Sequence, residues 1–310
     1  MLSRVADSIF WMSRYMERSS SVLRVVRTLY IASQDDMKDF NWSSLLDSYS
    51  IRENDSVPLP TTSNQVLQYL ILERGNIASV INNVVRAREN ARAIQDNITK
   101  EVWQCLNDYY HLIRERTLCY QLTDGDPVTA LDTLIRQSML FHGTVDITMG
   151  REEGFNFLSI GKYLERATQS IIILLLKLSS GYDPSETSNT ADWRFLLVSL
   201  SGYELYLKTY RETVQPNLVV QQILHNAAFP HSVLYCLGRL HRYFERLQSE
   251  SLEESYQYMD FQIGKTMNLV RYCNLKNITK DQLTKLLEKI REELFIIANG
   301  FNQYYFGLNL

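Results

Sequence analysis

Apolar residues recur at spacings of three and four along most of the chain, and no stretch alternates apolar with polar over the length of a strand. Val5, Ile9, Met12, Met16, Leu23 and Val26 form one such stripe and predict a long first helix from Ser3 to Ser33. A short helix is expected near Trp42, followed by a polar, proline-bearing stretch from Asp47 to Asn64. The same periodicity predicts helices over Asn64–Glu73, Asn76–Ala93, Thr99–Arg116, Val128–Met149 and Glu153–Leu178. Further helices are expected over Trp193–Arg211, Pro216–His225, His231–Gln248, Leu252–Tyr272 and Thr279–Tyr305. The segment Gly181–Asp192, rich in Ser, Thr and Asn around Pro184, reads as a loop or subdomain boundary within one domain of residues 1–310. The expected fold is all-α, a large multi-helix bundle with internally repeated motif helices.

The repeat lies in the polar positions between the stripes. Ser13-Arg14-Tyr15-Met16-Glu17-Arg18 returns as Gly161-Lys162-Tyr163-Leu164-Glu165-Arg166, and more loosely as His241-Arg242-Tyr243-Phe244-Glu245-Arg246. Between the first two copies the apolar stripe keeps its register, with Ile9 matching Phe157, Met12 matching Ile160 and Leu23 matching Ile171. On the helical wheel Arg18 sits beside Trp11, Val22, Val25 and Leu29, whereas Glu17 sits beside Ala6, Phe10, Ser13 and Ser20. A helix apolar on nearly every side is a central one. Glu17, Arg18, Glu165 and Arg166 are therefore expected inside the bundle. The small residues Gly154 and Gly161 flanking Glu165 are expected to let another helix approach closely.

A buried ion is costly without a partner. Two further polar clusters offer partners: Arg86, Arg88, Glu89, Asn90 and Arg92 on one predicted helix, and Asp146, Arg151 and Glu152 before the second motif helix. Together with Arg14, Glu17, Arg18, Lys162, Glu165 and Arg166 they form the candidate polar core or anion-binding set. Arginine suits both roles, because its planar fork grips a carboxylate or phosphate through two hydrogen bonds and stays charged. In one reading the pairs brace the packing. In the other, several converge on a pocket where arginines hold an anion and a buried glutamate exchanges a proton.

Composition narrows the chemistry. The 310 residues carry a formal net charge of −3 with no basic run, which argues against nucleic-acid or anionic-membrane binding. Cys105, Cys119, Cys236 and Cys273 are scattered without metal spacing, so a reducing cytoplasm is the expected compartment. No signal peptide is expected, since Arg14, Glu17 and Arg18 interrupt the opening run, and the most apolar run, Ile171 to Leu176, is too short to span a bilayer. Asp108 and His111 give a di-iron-like spacing only once, and His142 with Asp146 makes a single weak pair, so no metal is expected. Neither a phosphate-binding glycine loop nor a serine nucleophile elbow appears, and no cofactor is expected.

The chain resembles the alpha-E family, an all-helical bacterial family with a recurrent Glu-Arg motif. The resemblance is carried by Met1 to Arg4, Trp11 to Arg18, Ala87 to Arg92, Glu101-Val102-Trp103 and Leu106-Asn107. It continues through Asp146 to Leu158, Gly161 to Ala167, Phe229 to Val233 and Tyr304-Tyr305-Phe306. Phe155 and Lys162 depart from the pattern, standing where Trp and Arg are expected, and Glu73 to Asn76 matches it loosely. The resemblance implies association with circularly permuted ATP-grasp proteins and transglutaminase-like proteins, and so a system that makes or modifies amide bonds in peptides. In such a system the chain would bind a substrate or intermediate, or serve as a scaffold for those partners. The resemblance does not imply an activity for the family itself.

Overall fold

The apolar stripe that opens the chain forms a helix of 32 residues, α1, Ser3–Gln34, in a computed structural model that describes residues 1–34, 42–51, 59–179, 190–248 and 253–307. The described residues contain fourteen α-helices and no strand beyond an isolated bridge position at Asn76. None of these helices is long and apolar enough to cross a membrane. The chain divides into two compact units, Trp11–Gly150 and Met1–Phe10 with Arg151–Leu310. Most of the segment expected as a boundary, at residues 181–189, lies outside the described residues.

In the unit Trp11–Gly150, the remainder of α1 is followed by α2 (Trp42–Tyr49), α3 (Ser63–Ile71), α4 (Val80–Ala93), α5 (Lys100–Leu112), α6 (Arg116–Thr123) and α7 (Pro127–Thr148). Helix α5 packs against both α4 and α7, burying Val102, Leu106 and Tyr109. The Tyr109 hydroxyl lies 3.0 Å from Ser138 Oγ on α7, and burial raises its pKa. Arg27 of α1 grips Asp132 of α7 through two nitrogens, at 2.5 and 3.2 Å.

The sequence expectation fails in two places here. The helix expected from Asn76 begins at Val80, because the Asn76 carboxamide takes over the local backbone bonding. Its Oδ1 accepts from the N–H groups of Ile51 and Ala78, and its Nδ2 reaches the Tyr49 carbonyl at 3.3 Å. Ser79 then caps the helix by accepting from Asn82 N–H. The helix expected over Thr99–Arg116 stops at Leu112, and a separate helix, α6, follows from Arg116.

The second unit is built around α8 (Glu153–Ser179), which packs on α12 (Val233–Phe244) and α14 (Lys280–Tyr304). Around these lie α9 (Thr190–Ser199), α10 (Tyr203–Tyr210), α11 (Pro216–His225) and α13 (Glu253–Tyr272). The single helix expected over Trp193–Arg211 is broken into α9 and α10 at Ser201, whose φ of 55° is left-handed. Gly202 follows the break, and a Cβ there would lie 2.6 Å from the Phe229 ring. An aromatic core joins Phe10 to Phe301 and Phe306, with ring centroids 5.6 and 5.2 Å apart. Tyr305 and Phe306 are buried in it, so the aromatic C-terminal segment packs into the unit.

At Gly161 the close neighbour is backbone. A Cβ at that position would lie 2.5 Å from the Phe10 carbonyl oxygen, which is backbone and cannot swing away. Gly161→Ala is therefore expected to destabilise the protein by about 1–3 kcal/mol through overpacking. Urea unfolding measures this, and an unchanged midpoint would show that the contact is not close.

Candidate functional site

The repeated phrase places its residues on two faces of its helix. At 100° per residue, Tyr163 and Arg166 fall about 60° apart, while Glu165 lies about 160° from Tyr163, with Lys162 between the two sides. The two sides differ in burial. Glu17 and Glu165 are 0% and 1% exposed, whereas Arg18 and Arg166 are half-buried. The first two copies of the phrase thus send their acids inward and leave their second arginines at the edge of the packing.

In the unit Trp11–Gly150, Glu17 Oε2 lies 3.2 Å from His142 Nε2 on α7. The sequence did not suggest this pairing, although it favoured a surface or core role for His142 over a metal pair with Asp146. Arg14 is buried and lies over the Trp11 ring at 4.4 Å, and Arg86 lies 5.9 Å from the Tyr15 ring. The Arg86–Arg92 cluster occupies the outer side of α4. Arg88 Nε donates to Asn107 Oδ1 at 2.9 Å, and its guanidinium covers the rings of Tyr110 and Trp103 at 4.4 and 5.4 Å. Glu89 accepts from Arg88 at 2.9 Å and pairs with Arg92 at 2.7 Å, with 42% of its side chain exposed. Arg92 is exposed and Asn90 half-buried; Asp146 is exposed at the end of α7.

In the other unit, Glu165 Oε1 accepts from Gln169 Nε2 at 2.9 Å, one turn along α8. Arg151 and Glu152 are exposed, with Arg151 lying over the Phe155 ring at 4.0 Å. On the opposite face of α8 the second and third copies of the phrase meet. The rings of Tyr163 on α8 and Tyr243 on α12 stack, with centroids 6.1 Å apart and planes within 11°. Each ring carries the arginine that follows it by three residues, Arg166 at 5.6 Å and Arg246 at 5.3 Å. Lys162 lies 4.8 Å from the Tyr163 centroid, and Arg239 lies 5.5 Å from that of Tyr235.

Burial pushes the Tyr163 phenol up to about 12, with Tyr235 adding to the rise against the opposing pull of Arg166 and Arg239. Near neutral pH it is therefore a neutral hydroxyl. Burial disfavours the Arg239 charge, but the neighbouring Tyr163 and Tyr235 hydroxyls outweigh this and raise its pKa.

The candidate residues therefore form separate groups within each unit. The sequence reading passed over Tyr235, Arg239 and Arg246 in the second unit, and the signal was present. Tyr235, Arg239, Tyr243 and Arg246 follow at steps of four, four and three, one face of a helix. Among the described residues no group of three or more His, Cys, Asp or Glu side chains is arranged to hold a metal.

The buried acids and the surface acid should separate in a stability measurement. Glu165→Ala removes the buried acceptor of the Gln169 amide, and Glu17→Ala leaves a void beside His142. Each is expected to cost about 2 kcal/mol or more. Glu89→Ala, at an exposed pair, is expected to cost less than about 1 kcal/mol. Urea midpoints at constant m-value provide the comparison, and equal losses at all three sites would contradict it.

Comparison with known proteins places this geometry in a family. A protein of Mycobacterium bovis and one of Mycobacterium tuberculosis, both described as uncharacterized, are each 22% identical to the chain over 96% of its length. The chain spans only 36% of the length of these relatives. No solved structure matches it significantly. The model of the Alpha-E family, described as a predicted alpha-helical domain with a conserved ER motif, matches residues 1–306. The chain belongs to the Alpha-E family.

Proposed function

We propose that the chain is a binding component of an amide-forming or peptide-modifying system in the cytoplasm, and that it holds an anionic substrate or intermediate on the Tyr163–Tyr243 face. The observation that supports this reading is the meeting of two copies of the phrase. Their stacked tyrosines carry Lys162, Arg166 and Arg246, and Arg239 lies on the ring of Tyr235, whose centroid is 6.1 Å from that of Tyr163. Arginine is the side chain best suited to gripping a carboxylate or phosphate, and stacking on rings limits the orientations it can adopt. Tyr163 adds a hydroxyl that stays protonated and so donates rather than repels. In this reading a circularly permuted ATP-grasp protein activates a carboxylate, a transglutaminase-like protein belongs to the same system, and this chain presents the anionic peptide to them.

A scaffold role is the second reading, and a separate observation favours it. Phe261 on α13 and Phe295 on α14, two helices that pack together, are 64% and 65% exposed, and apolar side chains that share an exposed patch mark partner sites. Equilibrium binding of an acidic peptide to the native chain and to the Arg239→Ala/Arg246→Ala double variant decides between the two. Ligand holding predicts a loss of about tenfold or more in peptide affinity, with binding of the ATP-grasp partner retained. A scaffold predicts no peptide binding by either form, and loss of the ATP-grasp partner on Phe261→Glu or Phe295→Glu.

A further inference from the structure

A cleft of 760 Å3 opens in the second unit, lined by Asn217 and Gln221 of α11, His225 at its end, and Asn274, Lys276 and Asn277 of the α13–α14 connection. It shares no lining residue with the Tyr163–Tyr243 face. Its size falls within the usual range for small-molecule sites. Val220 and Leu283 give it an apolar floor. The lining includes no carboxylate, and its side-chain cation, Lys276, is exposed.

The connection between α13 and α14 fixes its own backbone and one of the carboxamides. Asn277 turns the chain with a φ of 55°, a left-handed conformation that asparagine tolerates better than most residues. Asn274 Oδ1 accepts from Lys276 N–H at 3.0 Å, which leaves its Nδ2 donor for another partner. Thr279 is occupied as the cap of α14 and supplies only shape.

His225 has one ring nitrogen fixed and one open. Nε2 lies 2.8 Å from the Val270 carbonyl oxygen, and a carbonyl cannot donate, so Nε2 carries the proton and Nδ1 is the open position. Cys273 Sγ lies 3.2 Å from the same nitrogen. Because Nε2 is a donor there, it cannot take the thiol proton. Burial raises the Cys273 pKa, and its thiol also reaches the Val270 carbonyl at 3.2 Å. A cysteine–histidine nucleophile is therefore not assembled here, and the cleft is a place for binding rather than covalent chemistry.

We propose that this cleft binds a small organic carboxylate bearing amide groups, with Lys276 facing the carboxylate and Asn217, Gln221, Asn274 and Asn277 pairing with the amides. Side-chain carboxamides suit such a ligand because each offers a donor and an acceptor, as an amide requires. Lys276, in a lining without carboxylates, sets the preference for an anion.

N-acetyl-L-glutamine is a probe of this class, and its neutral carboxyl-amide derivative is the control. Titrating each into the 15N-labelled full chain is expected to give saturable shifts from the acid at residues 217–225 and 274–283, with a millimolar dissociation constant. The neutral derivative, Lys276→Ala and Gln221→Ala should each weaken binding, the first two by about tenfold. Unshifted amide spectra elsewhere show that both exposed-site variants remain folded. No saturable shift by roughly 50 mM, equal affinity for the neutral derivative, unchanged affinity in Lys276→Ala, or shifts confined to α8 and α12 would each overturn the assignment.

Discussion

Much of the architecture depends on carrying two carboxylates through the interior. Glu17 and Glu165 lie on the longest helices of their respective units, among apolar and small neighbours, with essentially no exposure. Such a group is tolerated only where hydrogen-bonding partners are built beside it. His142 supplies one contact to Glu17, and Gln169, one turn away, supplies one to Glu165. The helix carrying Glu165 also makes its closest approach nearby, where Gly161 leaves room for the Phe10 carbonyl. A carboxylate fixed in a tightly packed helix restricts which rotation and register that helix can adopt.

That restriction explains why one phrase serves two purposes. Once the glutamate is turned inward, helical geometry brings the tyrosine and the following arginine together on the other side. In α8 and α12 those outer faces meet, and the shared periodicity produces the stacked Tyr163–Tyr243 pair with an arginine on each ring. The third copy shows what changes when the constraint is released. The α-helix ends at Phe244, Glu245 begins a 3-10 turn and is exposed, and His241 bonds Asp260 at 2.8 Å. Tyr243 and Arg246 nevertheless keep the same relation to each other. The outer face therefore survives without the buried acid.

Much of the fold was legible because helical periodicity is a local signal. The motif helices, the close approach at Gly161 and the packed aromatic C-terminus all follow from spacing and residue size. The failures arose where a side chain competed with the helix or where tertiary contact decided the outcome. Asn76 captures backbone groups across a turn and delays α4. Ser201 adopts a left-handed conformation, and Gly202 after it fits against Phe229. The candidate site was less legible. Arginine types mark where charge lies along the chain, but not that Arg88 would lie outside on α4 while Arg239 joined Tyr163 and Tyr235. Those relations depend on which helices meet, and repetition of the phrase hinted at them only through its third copy.

The central claim is that the acid on one side of the helix braces it while the tyrosine and arginines on the other side bind. Glu165→Gln tests this most directly, since it keeps the shape and removes the charge. Its thermal midpoint and its affinity for an acidic peptide, expressed per folded molecule, should be measured on the same preparation. The account predicts a lowered midpoint with affinity unchanged within about twofold. An unchanged midpoint with lost affinity would place the glutamate in the binding site and contradict the division of the phrase by face.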